Sequence, residues 1–424
     1  MSDLSITFDW TDFGSHDNPL IDGTFANLRI RCGQTAVIQV LDRKAQTIRD
    51  FITVPLYPIA EWIAANWWAL LYECDSLGKG GTQESFASRH SLRTAQEGFV
   101  MPELKICSEG EDTLFTWNPV RSAHQNVEFI GRGSFRLPTA DAAQQLESLV
   151  DAVLGRLSAK KLESPWLANE WSAIQNSDPD ESEFCRASGF LGLDPYSMSQ
   201  QVGNGIHEIW DTLPPGLRQD IFCASSGDTL RAVGTWVNSI GIHADAMRRW
   251  SGVFEPDVPA NARAPWEIGY QLADDARRRF GLGVGDLVDL ENIPDMKMRF
   301  IRADSPPIPS IEGLMCVREN NEALYYTARQ RPESRRFLAA RGLMGWLYGQ
   351  PDVISLLSTT LDRRQQQQRA FAAEFLAPAD AIRERITTRQ TTEEQIIELA
   401  AHFQVSDFVI LHQLKNHRIA ETPV

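Results

Sequence analysis

The sequence predicts a multidomain α+β protein. Three observations carry that reading: short apolar strands broken by Gly and Asp near the start, helix-period stretches through the middle, and a renewed mixture of helix, strand and hairpin after a proline-rich segment. At 424 residues the chain can build two or three domains, each with its own core. The expected divisions are an N-terminal α+β domain over 1–160, a helical middle domain over 161–253 and a C-terminal α+β domain over 265–424.

Leu4–Trp10, Phe25–Cys32, Thr35–Leu41 and Ile48–Val54 read as strands. After Pro58, the residues Ile59, Trp62, Ile63, Asn66, Trp67, Leu70 and Leu71 recur at i, i+3, i+4 spacing and predict a helix. Trp62, Trp67 and Trp68 invite a ligand-stacking reading, but an apolar stripe at that spacing points to a helix packed on a sheet. Thr113–Trp117, Val127–Ile130 and Gly133–Leu137 follow as strands, with Gly131-Arg132-Gly133 a turn between two of them, and Thr139–Leu157 is a closing helix.

In the middle, helices over Glu181–Leu191 and Ser199–Leu213 flank Gly192-Leu193-Asp194-Pro195-Tyr196. The pair has the outline of a helix-turn-helix. Glu181, Glu183, Glu208 and Asp211 surround it, however, and Arg186 is its single cation, so it lacks the charge that a DNA reader turns toward phosphate. Phe254–Pro265, with three prolines, reads as an interdomain linker. Beyond it, Glu267–Phe280 is an amphipathic helix, and Met298–Arg302 and Gly313–Glu319 are strands. Asn320-Asn321 is a hairpin turn into Ala323–Thr327. Arg335–Tyr348, Arg363–Phe375, Glu393–Phe403 and Phe408–Lys415 complete the chain as helices.

Charge is unevenly spread: residues 1–259 carry 20 basic and 34 acidic side chains, residues 260–424 carry 21 and 22. The acidic two-thirds repels phosphate backbones and disfavours non-specific nucleic-acid binding; it fits a protein partner with a basic surface. Six cysteines without a CxxC pair support neither a zinc knuckle nor a disulfide framework, and are expected as thiols in a reducing cytosol. Met1-Ser2-Asp3-Leu4 lacks the basic and apolar regions of a signal peptide. The most apolar window, Pro55–Tyr72, is interrupted by Pro58, Glu61 and Asn66 and falls short of a membrane span. The expected location is cytoplasmic.

Three motifs follow one another in the last third. Arg336-Phe337-Leu338-Ala339-Ala340 leads into Arg341-Gly342-Leu343-Met344-Gly345-Trp346-Leu347. Phe371-Ala372-Ala373-Glu374-Phe375-Leu376-Ala377-Pro378 comes second, and Leu399-Ala400-Ala401-His402-Phe403-Gln404-Val405-Ser406 third. Their order and wording resemble the ImmA/IrrE type of zinc metallopeptidase, over about residues 265–420. That resemblance implies a zincin-like α+β domain in which two histidines at i and i+4 on one helix, with a glutamate from the next, hold zinc. The glutamate after the first histidine is the general base.

Here every chemical position departs from that pattern. Arg341 and Gly345 stand at the two histidine positions, Gly342 at the general base and Gln367 at the third ligand. A guanidinium, two glycines and an amide make no zinc site, and Glu374 alone supplies too few donors. No catalytic, cofactor-binding or metal-binding residue is therefore expected, and the domain reads as a pseudo-enzyme. Two placements are open for Arg341: into the vacated site, bonded to Gln367, Asp362 or a backbone carbonyl, or outward to water.

The first functional reading is a non-catalytic protein that acts by binding another protein. The resemblance implies a bacterial or phage-associated setting of regulators, toxin–antitoxin pairs or defence. The second is a peptidase with unusual ligands, since His207-Glu208 followed by Asp211 places His and Asp at i, i+4; His243, His402, His412 and His417 form no dense cluster. The third is a DNA-binding regulator using the last helix pair, whose bases Lys415, His417 and Arg418 are few.

Overall fold

In the computed structural model the residues described are 4–12, 16–75, 83–96, 98–120, 127–241, 254–255, 264–293, 296–318, 322–348, 354–386 and 388–422. The chain is a mixed helix-and-sheet protein of two compact units that divide between Ile206 and His207.

The first unit opens with β1 (Leu4–Trp10), a single turn α1 (Pro19–Asp22) and β2 (Phe25–Cys32). Strands β1 and β2 pair antiparallel along their whole length, Leu4 opposite Cys32 and Trp10 opposite Ala26. The stretch expected as one strand over 35–41 is two. β3 (Thr35–Ala36) stays on β2, whereas β4 (Val40–Asp42) joins a different sheet with β5 (Thr47–Arg49). β6 (Ile52–Pro55) returns to β2.

The apolar helix after Pro58 is likewise two pieces, α2 (Tyr57–Ala65) and α3 (Trp67–Tyr72). They break at Asn66, whose side-chain amide donates to the Trp62 carbonyl at 2.8 Å and competes with the helical ladder. Trp62, Trp67 and Trp68 are core residues, and Trp67 meets Trp171 edge-on at 5.1 Å.

Then come α4 (Gln83–His90), β7 (Glu103–Ser108), β8 (Asp112–Asn118), β9 (Val127–Phe129), β10 (Gly133–Pro138) and α5 (Thr139–Ala159). β9 pairs with β4, and β10, β8 and β7 form a third sheet. β7 was not anticipated, although Leu104 and Ile106 alternate with Glu103 and Lys105 as a half-buried strand requires.

The segment expected as a helical middle domain is divided. α6 (Pro165–Asn176) and α7 (Pro179–Phe190) give Leu167, Trp171, Ile174 and Cys185 to the core of the first unit. The division between units falls inside α8 (Gln200–Thr212), and α9 (Pro215–Ala224) and α10 (Leu230–Ser239) belong to the second. His243, residues 256–263 of the expected linker and the Asn320-Asn321 turn lie outside the described residues.

The second unit continues with α11 (Pro265–Arg279), β11 (Lys297–Arg302), β12 (Ile311–Val317), β13 (Glu322–Thr327), α12 (Pro332–Tyr348), β14 (Ile354–Ser358) and α13 (Arg363–Leu376). It closes with α14 (Ala379–Arg385), α15 (Glu393–Phe403) and α16 (Asp407–Asn416). The sheet runs β11-β13-β12-β14, with β11 parallel to β13 and the other pairs antiparallel. Met315, Val317, Tyr325 and Leu357 face a core shared with Leu343, Phe371, Phe375, Phe403 and Ile410. Leu314, Cys316, Leu324 and Leu356, on the opposite face, are also buried, and α9 packs against β14. β14, buried on both sides, has no period-2 alternation to announce it.

Two devices fix α13 against α11. Arg277 is buried and donates to the carbonyls of Phe375 (2.7 Å), Gly283 (2.6 Å) and Asp286 (2.9 Å). At Gly269 the helices approach so closely that a Cβ would lie 2.4 Å from the Gln367 carbonyl oxygen. The six cysteines are all buried thiols. Among the described residues no helix is long and apolar enough to cross a membrane.

Two outcomes follow from this packing. Gly269→Ala should destabilise the second unit by about 1–3 kcal/mol through overpacking, although alanine's helix propensity alone favours it by about 1 kcal/mol. A chemical-denaturation midpoint that rises would show that the helices separate freely there. In the first unit, burial alone would raise the Glu73 carboxyl. Bonds from His90 Nε2 (2.9 Å) and the Arg89 guanidinium (2.7 and 2.8 Å) overcome it and hold Glu73 down at about 2. A depressed carboxylate stabilises above its unfolded value, near ~4.3, and loses that contribution as pH falls toward about 2. The loss is on the order of 3 kcal/mol. Unfolding measured against pH should show that slope in the parent chain and not in Glu73→Gln.

Candidate functional site

Helix α12 is enclosed on all sides from Leu338 through Leu347, so its two interior glycines are held by packing and not by propensity. Among the described residues Arg341 is the largest fully buried side chain. Of the two placements open to it, the inward one is realised. Its Nη1 donates to the Glu312 carboxylate, and its Nη2 donates to the Ser358 carbonyl at 2.8 Å and to Gln365 Oε1. The carbonyl partner matches the sequence expectation. Gln367 and Asp362 are not its bonded partners; Gln365 and Glu312 are.

Local structure explains this choice. On β12 the ladder to β14 shifts between Ile311 and Gly313, so Glu312 is the extra residue of a β-bulge and is free to turn toward α12. Arg329 holds its second oxygen at 2.8 Å. On α13, Asp362 caps the helix by accepting from the Gln365 N–H at 2.9 Å and also receives the Thr360 hydroxyl. Gln365 therefore sits in the first turn with its amide against β14. Gln367, two positions on and about 200° around the helix, lies where the backbone of α13 meets Gly269 of α11.

The same cluster closes the edge of the sheet at β14. Leu356 and Ser358 point their backbone groups away from β12. The Leu356 N–H donates to Asp220 Oδ2 (3.1 Å), and the Leu356 carbonyl accepts from Gln365 Nε2 (2.7 Å). The Ser358 N–H donates to Gln365 Oε1 (2.9 Å), and the Ser358 carbonyl accepts from Arg341 and from Arg369 Nη1 (3.0 Å). The Gln365 amide thus bonds to β14 as a peptide group of a neighbouring strand would. Asp220 is in turn paired with Arg364.

Burial sets the electrostatics. It lowers the Arg341 pKa, with Glu312 drawing it back up. Burial, then the neighbouring Arg341 charge, brings Arg369 down to about 10. Burial also pushes Asp220 up to about 7 against the opposing pull of Arg364.

The remaining positions fit no metal. A Cβ at Gly342 would lie 2.5 Å from Tyr325 Oη and 2.7 Å from Met315 Sδ, so the space a general-base glutamate needs is filled. Tyr325 is fixed there by its bond to the Ala339 carbonyl at 3.1 Å. Gly345, buried in α12, has no side-chain donor to offer. Glu374, nine residues after Gln365 and about 13 Å further along the helix, is tied to Ala379 N (2.9 Å) and Gln413 Nε2 (2.7 Å). His207, Glu208 and Asp211 are exposed on α8, with Glu208 3.7 Å from Arg231. Among the described residues no three His, Cys, Asp or Glu side chains form a ligand group. A cationic guanidinium, two glycines and an amide at the expected positions do not suit zinc.

Sequence reasoning missed Glu312, Gln365, Arg369 and Asp220. A signal existed for the first: a lone carboxylate in the apolar run Ile311–Val317 needs a buried cation.

Residues 291–415 match the family model described as the IrrE N-terminal-like domain, Peptidase_M78. The match runs from just before β11 into α16, and so includes the whole Arg341 cluster except Asp220. No curated protein matches the chain.

Arg341→Ala should cost the second unit roughly 3 kcal/mol, from the lost buried ion pair and the cavity left behind. Arg341→Met should cost clearly less. It fills the volume, and each acceptor keeps another donor: Arg329 for Glu312, Arg369 for Ser358 and the Ser358 N–H for Gln365. Equal losses in the two variants, read by denaturant unfolding, would contradict this assignment.

Proposed function

We propose that the IrrE-like domain of this chain is a non-catalytic descendant of a metallopeptidase fold and that the protein works by binding another protein. One observation supports the reading: the guanidinium of Arg341, the residue that the motif resemblance sets against the first ligand, ties β12, β14 and α13 together. Tyr325 and Met315 supply further support by filling the space beside Gly342. The capped edge of β14 argues in the same direction, because an extended substrate could pair there only by displacing Gln365 and Asp220.

A retained scaffold without its chemistry suits an adaptor, regulator or antitoxin-like component in a bacterial or phage-associated, cytoplasmic setting. The acidic residues 1–259 favour a partner with a basic face, whose association would slow as salt rises.

The expected outcome is that the full chain, purified without a metal column and dialysed against zinc, retains far less than one zinc per chain and cleaves no unstructured protein substrate. Elemental analysis with a casein-type assay checks both. About one tightly held zinc per chain, together with cleavage abolished by chelators, would overturn the reading.

A further inference from the structure

The sheet of the second unit has two edges, and they are treated in opposite ways. At β14 the outward groups of Leu356 and Ser358 are all taken by side chains. At β11 the described residues supply no further strand and no side chain bonded to the backbone of Lys297–Arg302. A strand paired on one side still directs the N–H and C=O of alternate residues outward, at the spacing another strand needs.

The charge of this edge is distinctive in a chain of net charge −15. Lys297, Arg299 and Arg302 are exposed, and none makes a hydrogen bond or ion pair among the described residues. The nearest acid on the neighbouring strand, Glu322 opposite Lys297, is engaged by Arg318 at 3.3 Å. Met298 and Phe300 turn toward the core, and the Arg335 guanidinium lies 5.6 Å above the Phe300 ring, adding a further cation beside the strand.

The geometry points to β11 as a docking edge for an extended, acidic segment of a partner protein. The segment adds as a fifth strand through main-chain bonds. Carboxylates on one of its faces meet Lys297 and Arg299, and one on the other meets Arg302. The same three cations repel a second copy of β11, which disfavours self-pairing and leaves an acidic strand as the complementary guest. This inference rests on the binding role proposed above and adds a second surface to it, for an acidic segment distinct from the basic face that residues 1–259 favour.

The test uses the full chain and a labelled peptide of about eight residues alternating valine and glutamate. Its controls are the valine–lysine counterpart and a short single-stranded oligonucleotide. Expected are binding of the acidic peptide that weakens as salt rises, and slowed amide exchange at Lys297–Arg302. Its Kd should rise about tenfold or more in Lys297→Glu/Arg299→Glu, with the milder Lys297→Ser/Arg299→Ser as a second variant if the first melts early. No binding, binding without protection of β11, equal binding of the lysine peptide, or tighter protection of β11 by the oligonucleotide would each overturn the inference. Such a failure leaves the zinc-free reading intact, because β11 lies outside the Arg341 cluster.

Discussion

The buried guanidinium of Arg341 is the interaction on which the second unit turns. It is one charge with three partners on three elements: Glu312 on β12, the Ser358 carbonyl on β14 and Gln365 on α13. An arginine with no exposed surface is costly to desolvate, and the cost is offset only when its donors find acceptors of fixed geometry. The bulge that frees Glu312 and the Asp362 cap that places Gln365 supply acceptors for Nη1 and Nη2, while Nε stays buried without a partner among the described residues. Arg329 and Arg369 bind the same acceptors from outside and make the cluster a network.

In the proposed reading, a guanidinium held by a helix and a sheet takes the tying role that a metal held by two helices has in the family pattern. Zinc draws together soft donors and leaves a coordination position open for water. A planar guanidinium demands oxygen acceptors and, once satisfied, leaves nothing to polarise a substrate. The glycines of α12 are consistent with this exchange. At Gly342 Tyr325 and Met315 occupy the space a side chain would use, and the helix survives the poor propensity because it is packed on every face.

Much of the fold was legible in the sequence because its elements are locally consistent. β1, β2 and α15 begin and end where alternation and helical spacing place them. The breaks at residues 37–39 and at Asn66 were hidden because apolar residues continue through both. β14 was hidden because a strand buried on both faces carries no alternation. At the site, the sequence shows no histidine between Arg341 and Leu347 and left Arg341 open to either placement, into the cavity or out to water; the structure places it inward. The sequence did not disclose Gln365 over Gln367, since four consecutive glutamines carry no phase and only the Asp362 cap decides which one faces β14. Asp220, far away in sequence on α9, had no local signal at all.

The central claim is that one side chain holds an edge strand and a helix start in place, and amide hydrogen exchange on the Arg341→Met variant tests it most directly. The account predicts that protection falls together at the Ser358 amide, which depends on Gln365, and in the first turn of α13, while β13 and the first unit stay as protected as in the parent chain. Unchanged protection at Ser358, or a uniform loss across the whole second unit, would contradict it.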